Sequence, residues 1–194
     1  MREQTIKRQT AETNIHVGLH IDGEGSGSIN TGVGFLDHML VLFTKHGLFD
    51  VTVDCDGDTQ VDDHHTTEDI GIALGQAFQA ALGDKRGITR YASFTVPMDE
   101  ALATAHIDIS GRPYLVYNVE GLKDKVGHFD TELVQEFFQG FTNHAGITLH
   151  LNVAYGTNTH HIIEAVFKAF ARALDAASQI NPRINDIPST KGML

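Results

Sequence analysis

Two short stretches of the chain carry a pair of histidines followed by a glutamate. Residues 64–68 and 160–164 both have the form His-His-x-x-Glu. On a helix, positions i and i+4 share a face, so His64 with Glu68, and likewise His160 with Glu164, can bind one metal ion. Adjacent histidines such as His64 and His65 point about 100° apart on a helix and therefore tend to reach different ions. The motifs predict two metal sites, each with ligands from both stretches.

Such sites need further ligands, and His38 and Glu136 are the best candidates, because each lies eight residues before a repeated histidine. The full set of expected metal ligands is His38, His64, His65, Glu68, Glu136, His160, His161 and Glu164. Imidazole and carboxylate without thiolate suit Mn, Fe, Ni, Co or Zn. The alternative is that histidine pairs begin two helices by chance, with acids near the helix start for dipole reasons. Two copies at matching positions favour the metal interpretation.

The composition of the 194 residues limits the class of protein. There are 12 histidines but one cysteine, which excludes an intrachain disulfide and a cysteine-based zinc site. The formal net charge of −11 argues against a nucleic-acid surface. No apolar run has the length of a membrane span, and the polar N-terminus lacks a signal peptide, so we expect a cytoplasmic protein. The length suits one compact subunit.

Hydrophobic periodicity predicts four helices, over residues 34–47, 66–82, 131–144 and 159–178. Strands are predicted over 13–21, 49–55, 89–96, 102–109, 113–119 and 147–153. The glycine-rich segment 23–27 is interpreted as a flexible hairpin turn.

The chain also repeats itself. Phe43-Thr-Lys-His46 matches Phe141-Thr-Asn-His144 at an offset of 98, and the histidine pairs match at an offset of 96. We therefore predict an α+β fold that duplicates a ββαβα-like unit, with two sheets and helices packed between or against them. The halves are residues 1–88 and 89–194.

The few basic residues predict a second kind of site. Arginine forks, and lysine beside hydroxyls, bind phosphate, and the candidates are Arg90, Arg112, Lys168, Ser189, Thr190 and Lys191. Taken singly, each is more often a solvated surface group. The chain has no P-loop and no dinucleotide-binding fingerprint.

Four motifs together closely resemble the imidazoleglycerol-phosphate dehydratase family of histidine biosynthesis. They are Gly-Phe-Leu-Asp-His-Met-Leu at 34–40, Asp-Asp-His-His-Thr-Thr-Glu-Asp at 62–69, Asn-Thr-His-His-Ile-Ile-Glu-Ala at 158–165 and Pro-Ser-Thr-Lys-Gly at 188–192. The resemblance implies a 24-subunit assembly with active sites at subunit interfaces. It also implies two Mn²⁺ ions per active site, although other divalent ions suit the same ligands. Many members have histidine where this chain has Glu136, and glutamine where it has Leu42.

The resemblance further implies the reaction, a hydro-lyase step. D-erythro-imidazole-glycerol phosphate loses water to give imidazole-acetol phosphate, through a metal-bound imidazolate and a diazafulvene-like intermediate. Glu12 is implied as the acid/base near the reacting carbons, beside the catalytic His64, His65, Glu68, His160, His161 and Glu164. His46 is implied to contact substrate, while Arg90, Arg112, Lys168, Ser189 and Lys191 match phosphate-binding positions.

Two other classes of function remain open at this point. A different dinuclear-metal enzyme, such as a phosphohydrolase, would place its ions at the phosphate. A non-catalytic metal-binding or assembly protein would leave the Arg, Lys and Ser set without a role.

Overall fold

The computed structural model describes residues 1–194 and contains ten strands and four helices. The first half contributes β1 (Glu3–Gln9), β2 (Thr13–His20), β3 (Gly27–Asn30), α1 (Gly34–Gly47), β4 (Asp50–Gly57) and α2 (His64–Leu82). The second half contributes β5 (Tyr91–Met98), β6 (Ala101–Asp108), β7 (Tyr114–Asn118), β8 (Lys125–Val126), β9 (Phe129–Asp130), α3 (Leu133–Ala145), β10 (Thr148–Tyr155) and α4 (Thr159–Ser178).

The two halves form sheets of the same topology, which bears out the predicted fold. The strand orders are β1-β2-β4-β3 and β5-β6-β10-β7, each with one parallel pair, β3 with β4 and β7 with β10. Even a side-chain contact repeats: Asn30 Nδ2 donates to Asp54 across β3 and β4, and Asn118 Nδ2 donates to Asn152 across β7 and β10. Each half has four sheet strands where the predicted ββαβα unit has three; β1 and β3 of the first half were not predicted, whereas all four sheet strands of the second half were.

The helices lie between the sheets and exchange partners across the halves. α2 packs on β1 and β2, and α4 packs on β5 and β6. α1 packs against α4, and α3 packs against α2, so the first helix of each half contacts the second helix of the other. Strand alternation supplies the inner faces, as in β2, where Ile15, Val17 and Leu19 are buried. The first helix of one half thereby faces the histidine-bearing helix of the other.

Glycines bring α2 and α3 unusually close together. A Cβ on Gly71 would lie 2.4 Å from the carbonyl oxygen of Phe137, and one on Gly75 would lie 2.5 Å from that of Phe141. On α3, a Cβ on Gly140 would lie 2.9 Å from the carbonyl oxygen of Glu68. These backbones meet without side chains between them, which positions α3 against the first turns of α2.

Three elements were not predicted. β1 is mostly exposed and polar, and β3 contains only four residues, with Gly27 as its first. The small β8–β9 hairpin lies between β7 and α3, where the first half has no equivalent strands. None of the four helices combines the length and apolar character that crossing a bilayer requires.

Candidate active site

Three side chains that could bind one metal ion cluster where α1 meets α4. They are His38 from α1 with His160 and Glu164 from α4, and their ligand atoms lie within 4.8 Å of one another. His38 Nε2 lies 3.5 Å from Glu164 Oε2, and His160 Nε2 lies 3.3 Å from the same oxygen. The cluster therefore combines residues of both halves, and no other group of three or more potential ligands is as close.

These separations suit ligands of a common ion. Two atoms bound to one ion at about 2.1 Å stand roughly 3 to 3.5 Å apart. The other oxygen of Glu164 accepts from Lys168 Nζ at 2.6 Å, so Oε2 stays directed at the histidines. Burial of Glu164 opposes ionisation, but Lys168 and then His38 outweigh it, and the pKa of this carboxyl lies below its ordinary value. The cluster thus offers a carboxylate and two imidazoles to a cation.

The first-half motif is more open. His64 Nε2 lies 3.7 Å from Glu68 Oε2, the i,i+4 approach that the motif predicts. Glu136, the counterpart of His38, is half-buried on α3 one turn before Gly140. Its carboxylate does not come within 4.8 Å of both His64 and Glu68 as a cluster would require. Glu136 therefore lies on α3, the helix that packs against α2 with its His64 and Glu68, but it does not form a three-ligand cluster with them.

The second histidine of each pair has a carboxylate on its Nδ1. His65 Nδ1 lies 2.9 Å from Asp58 Oδ2, and His161 Nδ1 lies 2.7 Å from Glu100 Oε2. The hydrogen bond to Asp58 raises the pKa of His65, and the hydrogen bond to Glu100 raises the pKa of His161. Hydrogen bonds from His161 and from the Asn158 backbone lower the pKa of Glu100 to about 2. Glu100 is accordingly a charged acceptor.

The candidate acid/base lies beside this arrangement. Glu12 stands in the turn between β1 and β2, and its Oε1 is 3.6 Å from His65 Nε2. Half of its side chain is exposed. A small molecule that reaches His65 therefore also reaches this carboxylate.

His46 of α1 lies close enough to Lys168 and Arg172 of α4 to be affected by their charges. Burial, followed by the charges of Lys168 and Arg172, lowers the pKa of His46. The His46 carbonyl accepts from Arg172 at 3.4 Å. Lys168, expected at the phosphate, is instead bound to Glu164 and has only Met98 Sδ as a second contact, at 3.6 Å. Within one chain it belongs to the metal-ligand cluster.

The remaining phosphate candidates do converge. They line an open pocket of about 620 Å³ whose walls are Arg90, Tyr91, Arg112, Pro188, Ser189, Thr190, Lys191, Met193 and Leu194. Asp108 holds the Arg90 guanidinium at 2.8 Å and lies 3.8 Å from that of Arg112. A second bond runs from Arg90 to the Pro188 carbonyl at 2.7 Å and attaches the C-terminal tail to the pocket. The cations and hydroxyls gathered here are of the types that bind anions.

The phosphate pocket and the histidines lie at opposite ends of β5. Tyr91, next to Arg90, pairs with Asp108, and Met98 pairs with Ala101 at the other end, beside Glu100 and His161. An eight-residue strand spans about 23 Å. Within one chain, the candidate anion site and the candidate metal-ligand site are therefore separated by most of the sheet.

Sequence reasoning missed three acidic residues, Asp58, Glu100 and Asp108, and the β8–β9 hairpin. The hairpin lines a pocket of about 620 Å³ together with His38 and His160. A signal existed for Glu100, because it lies 88 positions after Glu12 and both precede the second strand of their half. Asp58 and Asp108 gave no signal, since exposed-looking acids at strand ends are common.

Comparison with known proteins identifies one family along the chain. The sequence model of imidazoleglycerol-phosphate dehydratase matches residues 31–174. The chain is 62% identical over 193 residues to the imidazoleglycerol-phosphate dehydratase of Pelobacter propionicus, covering all of this chain and 99% of that protein. The enzyme of the same name from Oceanobacillus iheyensis is 58% identical over 194 residues, the full length of both.

Solved structures show the same likeness. A crystal structure of imidazoleglycerol-phosphate dehydratase from Staphylococcus aureus superimposes with a TM-score of 0.84 at 45% identity, covering 92% of this chain and 99% of that one. The enzyme from Pyrococcus furiosus, crystallised with (S)-C348, has the same TM-score at 35% identity, covering 97% and 100%. The chain therefore belongs to the imidazoleglycerol-phosphate dehydratase family, and it is a dehydratase, a lyase that acts in histidine biosynthesis.

Proposed function

We propose that the dehydration depends on divalent metal, Mn²⁺ by resemblance, with two ions per active site. The observation that carries this is the convergence of His38, His160 and Glu164 from opposite halves at 3.3 to 3.5 Å. Nitrogen and oxygen donors without sulfur fit Mn²⁺ and its neighbours in the first transition row. The predicted second set is His64, Glu68 and Glu136, with His65 and His161 completing the two ligand sets.

When bound, the ions would favour loss of the ring N–H proton from the substrate's imidazole, and the deprotonated ring could supply the electrons that expel the neighbouring hydroxyl. The carbon that loses its proton has no adjacent carbonyl, so no enolate can stabilise the charge there. We assign Glu12 the proton transfer at the carbons that lose water. The hydroxyl leaves from C3 and the hydrogen from C2, and the resulting enol becomes the ketone. A carboxylate whose pKa is adjusted by its site is a suitable general base and acid for these steps.

The other residues bind and orient. Lys168 holds one oxygen of Glu164, which keeps the second directed at His38 and His160. Arg90, Arg112, Ser189, Thr190 and Lys191 bind the substrate phosphate, and His46 contacts substrate. Because the phosphate pocket is distant from the metal ligands, a phosphohydrolase with its ions at phosphorus has less support than the dehydratase.

We propose further that one active site combines residues of different chains. Arg90 and His161 lie at opposite ends of β5, roughly 20 Å apart, whereas a three-carbon chain extends only about 1.5 Å per bond. A single chain would therefore leave one end of the substrate unbound. A second copy that brings its phosphate pocket to the histidines resolves this, in keeping with the 24-subunit assembly implied by resemblance.

A metal titration tests the proposal. Protein freed of metal by EDTA is titrated with Mn²⁺, Zn²⁺ and Mg²⁺ while imidazole-acetol phosphate formation and sedimentation are followed. We expect no turnover and a smaller assembly without metal, and recovery at two Mn²⁺ per chain. Mg²⁺ is the negative control, because it prefers oxygen ligands. Full activity in protein shown to be metal-free would refute the metal dependence. Glu68→Gln is expected to bind one ion fewer per chain and to lose most activity.

A further inference from the structure

The five histidines expected as metal ligands approach carboxylates in two ways. His38, His64 and His160 approach carboxylates through Nε2 at 3.3 to 3.7 Å. These distances are too long for strong hydrogen bonds but suit ligands that share an ion. His65 and His161 also bind carboxylates through Nδ1 at 2.9 and 2.7 Å, which are good hydrogen bonds, while His65 Nε2 lies 3.6 Å from Glu12. Asp58 and Glu100 therefore act differently from Glu68 and Glu164.

A hydrogen bond of this kind fixes the tautomer of the ring. An ionised carboxylate only accepts, so the proton of each neutral imidazole must be on Nδ1. The lone pair is then on Nε2, which is the atom a metal requires. Neither Asp58 nor Glu100 was a candidate ligand in the sequence.

The surroundings of the two carboxylates show how firmly each histidine is held. Oε1 of Glu100 accepts from the backbone N–H groups of Asn158 and Thr157 at 2.7 and 3.2 Å, so the carboxylate is fixed to the loop that precedes α4. Asp58 is held through its backbone, because its N–H donates to the Glu12 carbonyl at 3.1 Å. Asp58 Oδ1 is buried without a partner, so the contact with His65 is what offsets the burial of this carboxylate.

We propose that Asp58 and Glu100 are positioning residues, which hold His65 and His161 by Nδ1 and leave Nε2 free as the metal ligand. The inference rests on the proposed metal dependence. The two residues occupy unrelated places in the duplication, since Asp58 follows β4 whereas Glu100 lies in the β5–β6 turn. Each half has thus met the same chemical requirement with a carboxylate from a different loop.

The test replaces Glu100 by glutamine in the full-length assembled protein. The amide oxygen can still accept from Asn158 and Thr157, so the loop keeps its hydrogen bonds. The amide N–H₂ then faces His161 Nδ1 and donates to it, which moves the ring proton to Nε2 and blocks the metal. We expect Mn²⁺ affinity at one of the two sites to fall about 10- to 100-fold, measured by equilibrium dialysis with electron paramagnetic resonance of free Mn²⁺. Asp58→Asn should have the same effect and covers the case in which the Glu100 variant does not fold.

A matched control and a double variant separate positioning from a general structural role. Glu120→Gln changes an exposed acid without side-chain partners and should leave both affinities unchanged. In a His161→Ala background, Glu100→Gln should cause no further loss of Mn²⁺ affinity, because its effect passes through that ring. Additive losses, or a Glu100 variant that binds like the Glu120 variant, would overturn the positioning role. Failure of the wild-type protein to bind Mn²⁺ would instead overturn the proposed function and this inference with it.

Discussion

The two halves of the chain share their topology but differ at the corner where each first strand begins. Arg2 and Arg90 lie 88 positions apart, and each precedes that strand. Arg2 pairs with Asp22, near Glu24 and Asp50, so this corner is acidic. Arg90 pairs with Asp108 beside Arg112 and Lys191, so the corresponding corner is basic. The same backbone thus yields an anion pocket in the second half alone.

The opposite ends of the sheets differ as well. Glu12 and Glu100 hold equivalent places before β2 and β6. Glu12 remains half exposed near His65 Nε2, whereas Glu100 is engaged by His161 and two backbone N–H groups. Under the roles proposed above, the duplication has kept one carboxylate free for proton transfer and uses its counterpart for positioning.

The largest expected effect separates these two glutamates. Glu12→Gln should lower kcat by about 10³-fold, because it removes the proposed acid/base, while Mn²⁺ affinity stays at the wild-type level. Glu100→Gln should instead lower mainly the Mn²⁺ affinity and have a smaller effect on kcat. Steady-state kinetics at saturating Mn²⁺ and dialysis on the same samples measure both. A Glu12 variant with wild-type kcat would contradict the assignment of proton transfer.

The next effect concerns the basic corner. Arg112→Ala should raise KM about 10- to 100-fold with a smaller change in kcat, because a charged hydrogen bond to phosphate contributes about 1.5 to 3 kcal/mol. Glu24→Ala, at the equivalent position of the first half, is the control and should leave KM unchanged. Equal KM values for the two variants would argue that the basic corner does not bind substrate.

A smaller effect tests the crossing of α2 and α3. Gly71→Ala places a methyl group 2.4 Å from the Phe137 carbonyl oxygen. This oxygen belongs to the backbone of α3, which cannot move away as a flexible side chain could. We expect a loss of about 2 kcal/mol in the free energy of unfolding and a midpoint about 4–8 °C lower. Gly34→Ala, in the first turn of α1 with nothing within 4 Å of the new Cβ, is the control and should be neutral or slightly stabilising. Thermal unfolding of the two variants side by side would show whether the close approach is rigid.

The close approach of α2 and α3 also separates what the sequence predicts from what it does not. The four helices were predicted within about two residues of their observed ends, because their buried faces repeat with the helical period. β1 was missed because only Ile6 and Arg8 of its seven residues are partly buried, so its pairing with β2 depends on the backbone and leaves no apolar pattern. The pairing of α1 with α4 was not predictable, since periodicity indicates a buried face but not its partner.

The candidate site was likewise predictable only in part. The metal-binding motifs were visible because two ligands lie within one helical turn, as with His160 and Glu164. The approach of His38 to them crosses the two halves and appears only in the fold. An insertion hid part of the repeat: Asn30 and Asn118 are 88 positions apart, but His38 and Glu136 are 98 apart, so ten residues containing the β8–β9 hairpin intervene. This shift of offset is why Glu100 was not aligned with Glu12.

The smallest effect concerns the turns after β2 and β6, which the two halves stabilise by different chemistry. Asp50 Oδ1 accepts from the N–H groups of Glu24 and Ser26, each at 2.9 Å, and the Ser26 contact followed by that of Glu24 lowers the pKa of Asp50 below 3.8. Its counterpart Thr148 binds the Arg112 carbonyl through an uncharged hydroxyl at 3.2 Å. A lowered pKa in the folded state means that the stabilisation is present above pH 3.8 and is lost as the pH falls through the folded value.

Asp50→Asn should therefore cost about 0.5 kcal/mol at pH 7, after allowance for solvent screening of a partly exposed group, and nothing near pH 2. Thr148→Ala should cost the same at both pH values, because no charge is lost. Urea unfolding of both variants at the two pH values measures the difference, and a pH-independent cost for Asp50→Asn would mean that the charge of Asp50 does not stabilise the turn.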